Sequence, residues 1–446
     1  MNILIKNGHV IDPAQGIDGI CDIIIENGKI KEVQKHGSAE ARKKKNADFR
    51  TSEHRGELPG CEVIDAGGNL VIPGLVDMHV HLREPGFEYK ETIKTGTEAA
   101  IRGGITTVCC MPNTKPVNDN ASITAFIINR AAQEGSCTVY PVGAITKGQR
   151  GEELAELAIM FEAGCIAFSD DGRPVVDSLL MRRALEYSKI LDAPIISHCE
   201  DLSLAAGGVM NEGLVAVTLG LKGIPPQAEE IMVSRDIALA ELTGGRLHIA
   251  HISTAGSVEI IRAAKKRGIA DISAETCPHY FHITEDAAKD YNTFAKVNPP
   301  LRTVNDIEAI RQGLQDGTLD VIATDHAPHH SDEKMSEFDN APSGISGLET
   351  SVGLSMKLVE DGVLDMSQLI RKMALNPSRI LGLIRKATGT LKPGADANLV
   401  ILDTSREYVV DTGNFKSKGI NTPFSGWTLR ARPAMTISNG RIYKWD

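Results

Sequence analysis

No Cys-x-x-Cys pair occurs in this chain, although it holds eight cysteines, at positions 21, 61, 109, 110, 137, 165, 199 and 277. Scattered thiols in a chain of 446 residues argue against an oxidised framework and predict reduced cysteines in a cytoplasmic protein. Several fall in apolar runs, where Cys packs as a small hydrophobe. The opening MNILIKNGHVID lacks a basic segment followed by a long apolar run, so no secretory signal is expected. No stretch approaches ~18 uninterrupted apolar residues, so no membrane span is expected. Positive charge is not in excess either. Lys and Arg number 48 against 58 Asp and Glu, a formal net charge of −10, which argues against nucleic acid as a partner. The one dense basic run, Arg42-Lys43-Lys44-Lys45, lies in a polar stretch and reads as solvated loop. Phosphate-cradling signatures are missing too. No GxGxxG follows an early strand and no GxxxxGK[ST] occurs, which lowers an open doubly wound sheet as the architecture.

What is present has two rhythms. The start alternates apolar and polar residues in NILIKNGHVID and CDIIIENGKIKEV, and Asn27-Gly28 is a strong hairpin-turn signal. The end echoes it with GTLKPGADANLVILD and MTISNGRIYKWD, where Asn439-Gly440 repeats the turn dipeptide. The two ends are therefore expected to pair into one small β-sandwich module. Ala39–Pro59 is charged and aperiodic and reads as an exposed loop. Between the ends, apolar β-branched runs recur at Leu75–Val80, Thr106–Met111, Thr138–Ile145, Ile166–Ser169, Pro194–Ser197, Leu247–Ile252, Asp271–Ala274 and Asp320–Ala323. Near-continuous apolar runs suit strands buried on both faces of a parallel sheet. The segments between them, such as YKETIKTGTEAAIRGG and DSLLMRRALEYSKILD, carry helical spacing. Eight β–α alternations predict an α/β fold, a (β/α)8 TIM barrel over residues 73–385, with the β module contributed by 1–72 and 386–446.

In such a barrel the working residues stand at the C-terminal ends of the strands. Reading those ends in order gives His79-Val80-His81, Ser169-Asp170-Asp171-Gly172, His198, His251 and Asp325-His326. In an extended strand residues i and i+2 share a face, so His79 and His81 project together. Imidazole nitrogens and carboxylates are the usual ligands of zinc, and this set suffices for two metals around one bridging carboxylate. An HxH pair, a lone strand-end His, or an Asp before Gly would each be weak evidence. Their coincidence at one barrel rim is what makes the metal reading strong. His248, three residues before His251, is expected to face away and be structural. Asp170 is read as a support, Cys199 and Cys277 as packing, and His279, His282, His326 and His330 as rim or outer-shell groups.

Strung along the chain are VIPGLVDMHVHLREPG, CCMPNTKPV, FSDDG, ISHCED, HIAHIST, ETCPHYF, KVNPPLR, ATDHAPH, SGISGLET and LNPSRILGL. In content and order these motifs resemble the dihydroorotase family of the amidohydrolase superfamily, across almost the whole length. The resemblance is to its longer members, which use an acidic bridging ligand. It implies two Zn2+ per subunit. His79, His81 and Asp325 would hold one ion and His198 and His251 the other, with Asp171 bridging both where relatives often carry a carboxylated Lys. Asp325 would also be the catalytic base and acid. Substrate contacts would come from His81, Arg83, Asn113, Asn298 and His329, and from backbone groups near Ser343 and Gly344. Arg83 would grip the substrate carboxylate, for which a planar two-donor guanidinium is suited. The implied reaction is reversible hydrolysis of L-dihydroorotate to N-carbamoyl-L-aspartate in de novo pyrimidine (UMP) biosynthesis. A homodimer and association with aspartate transcarbamoylase are expected alongside it.

The chain departs from the family pattern in two places. Pro342-Ser343-Gly344 stands where relatives commonly have Pro-Phe-Gly, and the stretch Ala39–Pro59 is long. The polar segment His330–Asn340 reads as a lid able to close over the pocket. Two rival readings remain. A hydantoinase, dihydropyrimidinase or allantoinase would share barrel and metals, but Arg83 and Asp171 argue against one. An inactive scaffold for aspartate transcarbamoylase should have lost metal ligands, and none is missing here.

Overall fold

The computed structural model describes residues 2–36, 61–268 and 270–445. The stretch Ala39–Pro59 and the basic run at 42–45 lie outside the described residues. The chain opens on β1 (Asn2–Asp12), β2 (Ile17–Glu26), β3 (Lys29–Lys35), β4 (Cys61–Asp65) and β5 (Leu70–Pro73). Eight strands follow that form one parallel sheet, with a short pair, β11 (Met210–Asn211) and β12 (Gly223–Ile224), set apart from them. The eight are β6 (Leu75–Val80), β7 (Ile105–Cys110), β8 (Thr138–Gly143), β9 (Ala167–Ser169), β10 (Ile195–Ser197), β13 (Leu247–Ile249), β14 (Ile272–Thr276) and β15 (Val321–Ile322). All eight strands expected from the sequence are present. The sheet closes into a barrel where Val80 bridges His326 in parallel and the His81 amide donates to the His326 carbonyl at 2.8 Å. That closure joins the first and last strands at the rim where the candidate ligands stand.

Helices line the outside, begun by side-chain caps. Thr92 accepts from the Thr95 amide to start Ile93–Arg102, and Asp177 accepts from the Leu180 amide to start Ser178–Leu191. Among the described residues no helix is long and apolar enough to cross a membrane.

The chain ends on β16 (Leu399–Val409), β17 (Thr428–Ser438) and β18 (Arg441–Lys444). Both termini share one mixed sheet in the order β18-β17-β16-β5-β1-β2-β3, with β4 pairing β1. Strand alternation divides its side chains between two cores. Val71, Leu399 and Ile401 pack with Ile3, Ile23 and Ile437 inside the module, whereas Leu70, Ile72, Val400 and Leu402 face the barrel core. Both expected turns form with positive φ, at Asn27-Gly28 (52° and 75°) and Asn439-Gly440 (50° and 76°). The two turns abut, because a Cβ on Gly440 would meet the Gly28 Cα at 2.8 Å. The glycines are needed for that approach as well as for the backbone conformation.

Candidate metal centre

At and beyond the ends of β6, β9, β10, β13 and β15 the rim gathers His79, His81, Asp171, His198, His251 and Asp325, each nearly inaccessible to solvent. His79, His81 and Asp171 offer ligand atoms that all lie within 4.8 Å of one another, and so do Asp171, His198 and His251. Asp171 belongs to both groups. Its Oδ1 stands 3.2 Å from His79 Nε2, 3.4 Å from His251 Nε2 and 3.7 Å from His198 Nδ1, and its Oδ2 stands 3.4 Å from His81 Nε2. Asp325 Oδ1 completes the first group, 3.0 Å from His81 Nε2 and 3.5 Å from His79 Nε2.

The electrostatics are those of a site suited to cations. Burial alone would raise the Asp171 carboxyl, but His79, His198 and His251 outweigh it and hold Asp171 well below the usual range. Asp325 is lowered in the same way, against burial, by its hydrogen bond with His81 and the nearby His79 and His251. Both carboxylates are therefore ionised. His79 Nε2 is fully buried, points at the two carboxylates and has no hydrogen-bond partner. A buried nitrogen left this way needs an explanation, and an electron-pair acceptor between it and Asp171 supplies one. Four imidazoles and two carboxylates, sharing one carboxylate, fit a pair of divalent ions.

Backbone geometry explains why the ligands converge. His251 lies two residues beyond the end of β13, not on it, with φ 34°, and Asp325 has φ 46°. These sparsely populated conformations turn both side chains into the mouth. His248 belongs to neither ligand group, but its Nε2 lies 3.1 Å from Glu275 Oε2, and Glu275 Oε1 lies 2.6 Å from His79 Nδ1. Glu275, on β14, is a member of the cluster that strand-end reading overlooked. Glu200 is another, 3.3 Å from His198 Nε2 and also within 3.3 Å of Asn298 Nδ2. Both stand inside quoted motifs, ETCPHYF and ISHCED, so the signal was present without an assigned role.

The other expected residues sit around this centre. Asn113 Oδ1 accepts from His81 Nδ1 at 2.9 Å, and Nε2 faces the carboxylates. Arg83, at φ 62°, donates from Nε to the Pro328 carbonyl at 3.2 Å, and its guanidinium reaches His329 at 3.3 Å. His329 Nδ1 faces Lys90 Nζ at 3.2 Å, and its Nε2 faces the Ser343 carbonyl at 2.9 Å. An ammonium only donates, so Nδ1 accepts, while Nε2 stands between the Ser343 carbonyl and the Arg83 guanidinium. Burial together with Arg83, Lys90 and Lys334 keeps this ring neutral. Lys90 was not foreseen from the sequence. The Gly344 amide donates to the Lys296 carbonyl at 2.9 Å, and its own carbonyl accepts from Asn421 at 2.9 Å.

The segment at 330–340 is tied down. Lys334 is buried and donates to the Pro342 carbonyl at 2.8 Å, and Phe338 is buried too. Desolvation of Lys334 pushes its pKa down to about 7. Asp170 supports the loop after β8 by accepting from the Ile145 and Thr146 amides. His282 contacts the Leu354 carbonyl, His326 faces Glu91, His330 caps Ser331–Lys334, and His279 packs edge-on against Tyr280. Cys199 and Cys277 are buried, which pushes both thiols well up, as packing residues require.

The Arg83 turn depends on Gly86, where φ is 97° and an added Cβ would fall 2.1 Å from the Lys115 carbonyl oxygen. Gly86→Ala combines backbone strain with a clash against backbone, so it should cost more than about 2 kcal/mol. A melting temperature lowered by several degrees, with KM raised more than kcat is lowered, is the expected outcome.

A parallel eight-stranded barrel whose rim carries two His/Asp groups around one carboxylate defines a metal-dependent hydrolase. The Dihydro-orotase-like family matches residues 68–257. A dihydroorotase from Syntrophus aciditrophicus (strain SB) is 53% identical over 443 residues, covering 99% of each chain. One from Geotalea daltonii is 55% identical over 442 residues, again 99% of each. Among solved structures, an L-hydantoinase (dihydropyrimidinase) from Arthrobacter aurescens superposes with a TM-score of 0.84 at 25% identity, covering 99% of this chain and 95% of that one. The chain belongs to the dihydroorotase family of cyclic amidohydrolases.

Proposed function

We propose that the chain hydrolyses L-dihydroorotate reversibly to N-carbamoyl-L-aspartate, a step of pyrimidine biosynthesis, with two zinc ions held by His79, His81, Asp325, His198, His251 and a bridging Asp171. Asp171's membership of both ligand groups is the observation that carries this reading. Zinc bound there would lower the pKa of water to about 7 and polarise the ring carbonyl.

The remaining roles belong to side chains. Asp325, held ionised, accepts a proton on a carboxylate oxygen from the attacking water and returns it to the ring nitrogen as the C–N bond breaks. The oxygen of water ends on the new carboxyl group, one of its protons on the departing ureido nitrogen, and the other leaves as that carboxyl ionises, so the step balances. Arg83 receives the substrate carboxylate, with His329, Asn113 and Asn298 around the ring. His81 and the backbone at Ser343 and Gly344 complete the expected contacts. Since the Gly344 amide is engaged by Lys296 and its carbonyl by Asn421, the Ser343 side of the turn is the part left for the ring amide.

The hydantoinase reading has the fold in its favour. Arg83 weighs against it, because a hydantoin lacks the carboxylate that this guanidinium would grip. The same proposal has residues 73–385 as the barrel and 1–72 with 386–446 as the module. It also has a homodimer in the cytoplasm, with aspartate transcarbamoylase as a candidate partner.

The test is turnover of dihydroorotate, hydantoin and allantoin before and after treatment with dipicolinate. Dihydroorotate should be the preferred substrate. Chelation should lower its turnover at least about 100-fold, and added Zn2+ should restore it. Preference for hydantoin, or activity indifferent to chelation, would overturn the proposal.

A further inference from the structure

Beneath His79 lies a buried carboxylate to which neither the motifs nor the reaction gives a task. Glu275 is fully inaccessible to solvent, as are His79 and His248. Its two oxygens are divided between two imidazoles, Oε1 with His79 Nδ1 at 2.6 Å and Oε2 with His248 Nε2 at 3.1 Å. His248 Nδ1 lies 2.8 Å from Ser273 Oγ. The proton positions follow from the partners. A carboxylate only accepts, so His79 carries its proton on Nδ1 and His248 on Nε2, and the Ser273 hydroxyl donates to His248 Nδ1. Each polar atom in the chain Ser273–His248–Glu275–His79 then has one complementary partner. With Nδ1 given to Glu275, Nε2 is the His79 nitrogen left to face Asp171 and Asp325 and to ligate an ion held between them.

We propose that Glu275, braced by His248, is a positioning residue that fixes the tautomer and ring orientation of His79 and thereby sets how tightly the metal pair is held. The inference rests on the metal reading above. Metal-ligating imidazoles commonly donate their other N–H to a carboxylate, which raises ligand basicity, and losing such a partner weakens metal binding about 10–100-fold. The alternative is that the carboxylate merely satisfies two buried rings. The two roles separate in Glu275→Gln. The amide oxygen can still accept from His79, and its NH2 can donate to His248 if that ring moves its proton to Nδ1 and donates to Ser273. Shape and hydrogen bonds are then retained while the charge is lost.

The experiment is zinc titration of the metal-stripped parent, Glu275→Gln, His248→Gln and His79→Ala against a chromophoric chelator, with melting curves of each stripped protein. The proposal expects Glu275→Gln to melt like the parent without metal yet bind its tighter zinc about 10–100-fold more weakly. His248→Gln should show a smaller loss in the same direction. Unchanged zinc affinity in Glu275→Gln, beside a clear loss in His79→Ala, would overturn the positioning role and leave the metal site standing. If His79→Ala bound zinc as tightly as the parent, the metal reading itself would fall, and this inference with it.

Discussion

Asp171→Ala should strip the chain of its paired metal and lower kcat at least about 10^4-fold. The reason is arithmetic of ligands. Asp171 is the one side chain belonging to both groups. Without it, the first position keeps His79, His81 and Asp325, three ligands, enough for an open tetrahedral site. The second keeps only His198 and His251, too few to hold zinc against water. Electrostatics point the same way, because removing a buried anion from four imidazoles leaves a cation to be bound among neutral rings. Asp171→Asn, which preserves an acceptor oxygen but no charge, should fall between the two. Zinc per chain by elemental analysis should drop from two toward one or below, in step with kcat. Two tightly bound zinc ions in Asp171→Ala would refute the bridging role.

The parts of this site legible in the sequence are those that obey a local rule. Parallel barrel strands are buried on both faces, so they appear as short apolar runs, and all eight could be placed. The strand period of two put His79 beside His81. The hairpin turns were legible because Asn-Gly is a conformational requirement at positive φ. Where the local rule fails, so does the reading. Leu247–Ile252 looks like one strand, but regular strand geometry ends at Ile249 and His251 takes φ 34°, so alternation could not say where His251 points relative to His248. Glu275 meets His79 across 196 positions, and Lys90 meets His329 across 239. Such partners carry no periodicity. A charged residue at the end of a strand or in a loop is ordinarily a solvated one, and only the closed barrel turns it into a buried partner. The segment at 330–340 hides a partner in the same way, since within its polar run Lys334 turns inward and donates to backbone carbonyls.

Arg83→Met should lower kcat/KM for dihydroorotate by about 10^3-fold, from the loss of two charge-assisted hydrogen bonds worth roughly 1.5–3 kcal/mol each. Those bonds are made in the ground state and the transition state alike, so most of the loss should fall in KM, with a smaller part in kcat where the ring is left free to tilt. Any turnover of hydantoin, which offers no carboxylate, should be unaffected. A structural contribution has to be separated from this, because Arg83 also donates to the Pro328 carbonyl and so braces the turn between Asp325 and His329. Arg83→Lys makes that separation. It keeps the charge but cannot form two parallel bonds, and should retain an intermediate activity. If Met and Lys variants lost the same large factor and melted alike below the parent, the loss would come from the turn. Equal losses on dihydroorotate and hydantoin would show that Arg83 does not read the carboxylate. A selective loss on dihydroorotate, graded from Lys to Met, is the expected result, since a guanidinium held beside the metal cluster has its strongest complement in a planar anion.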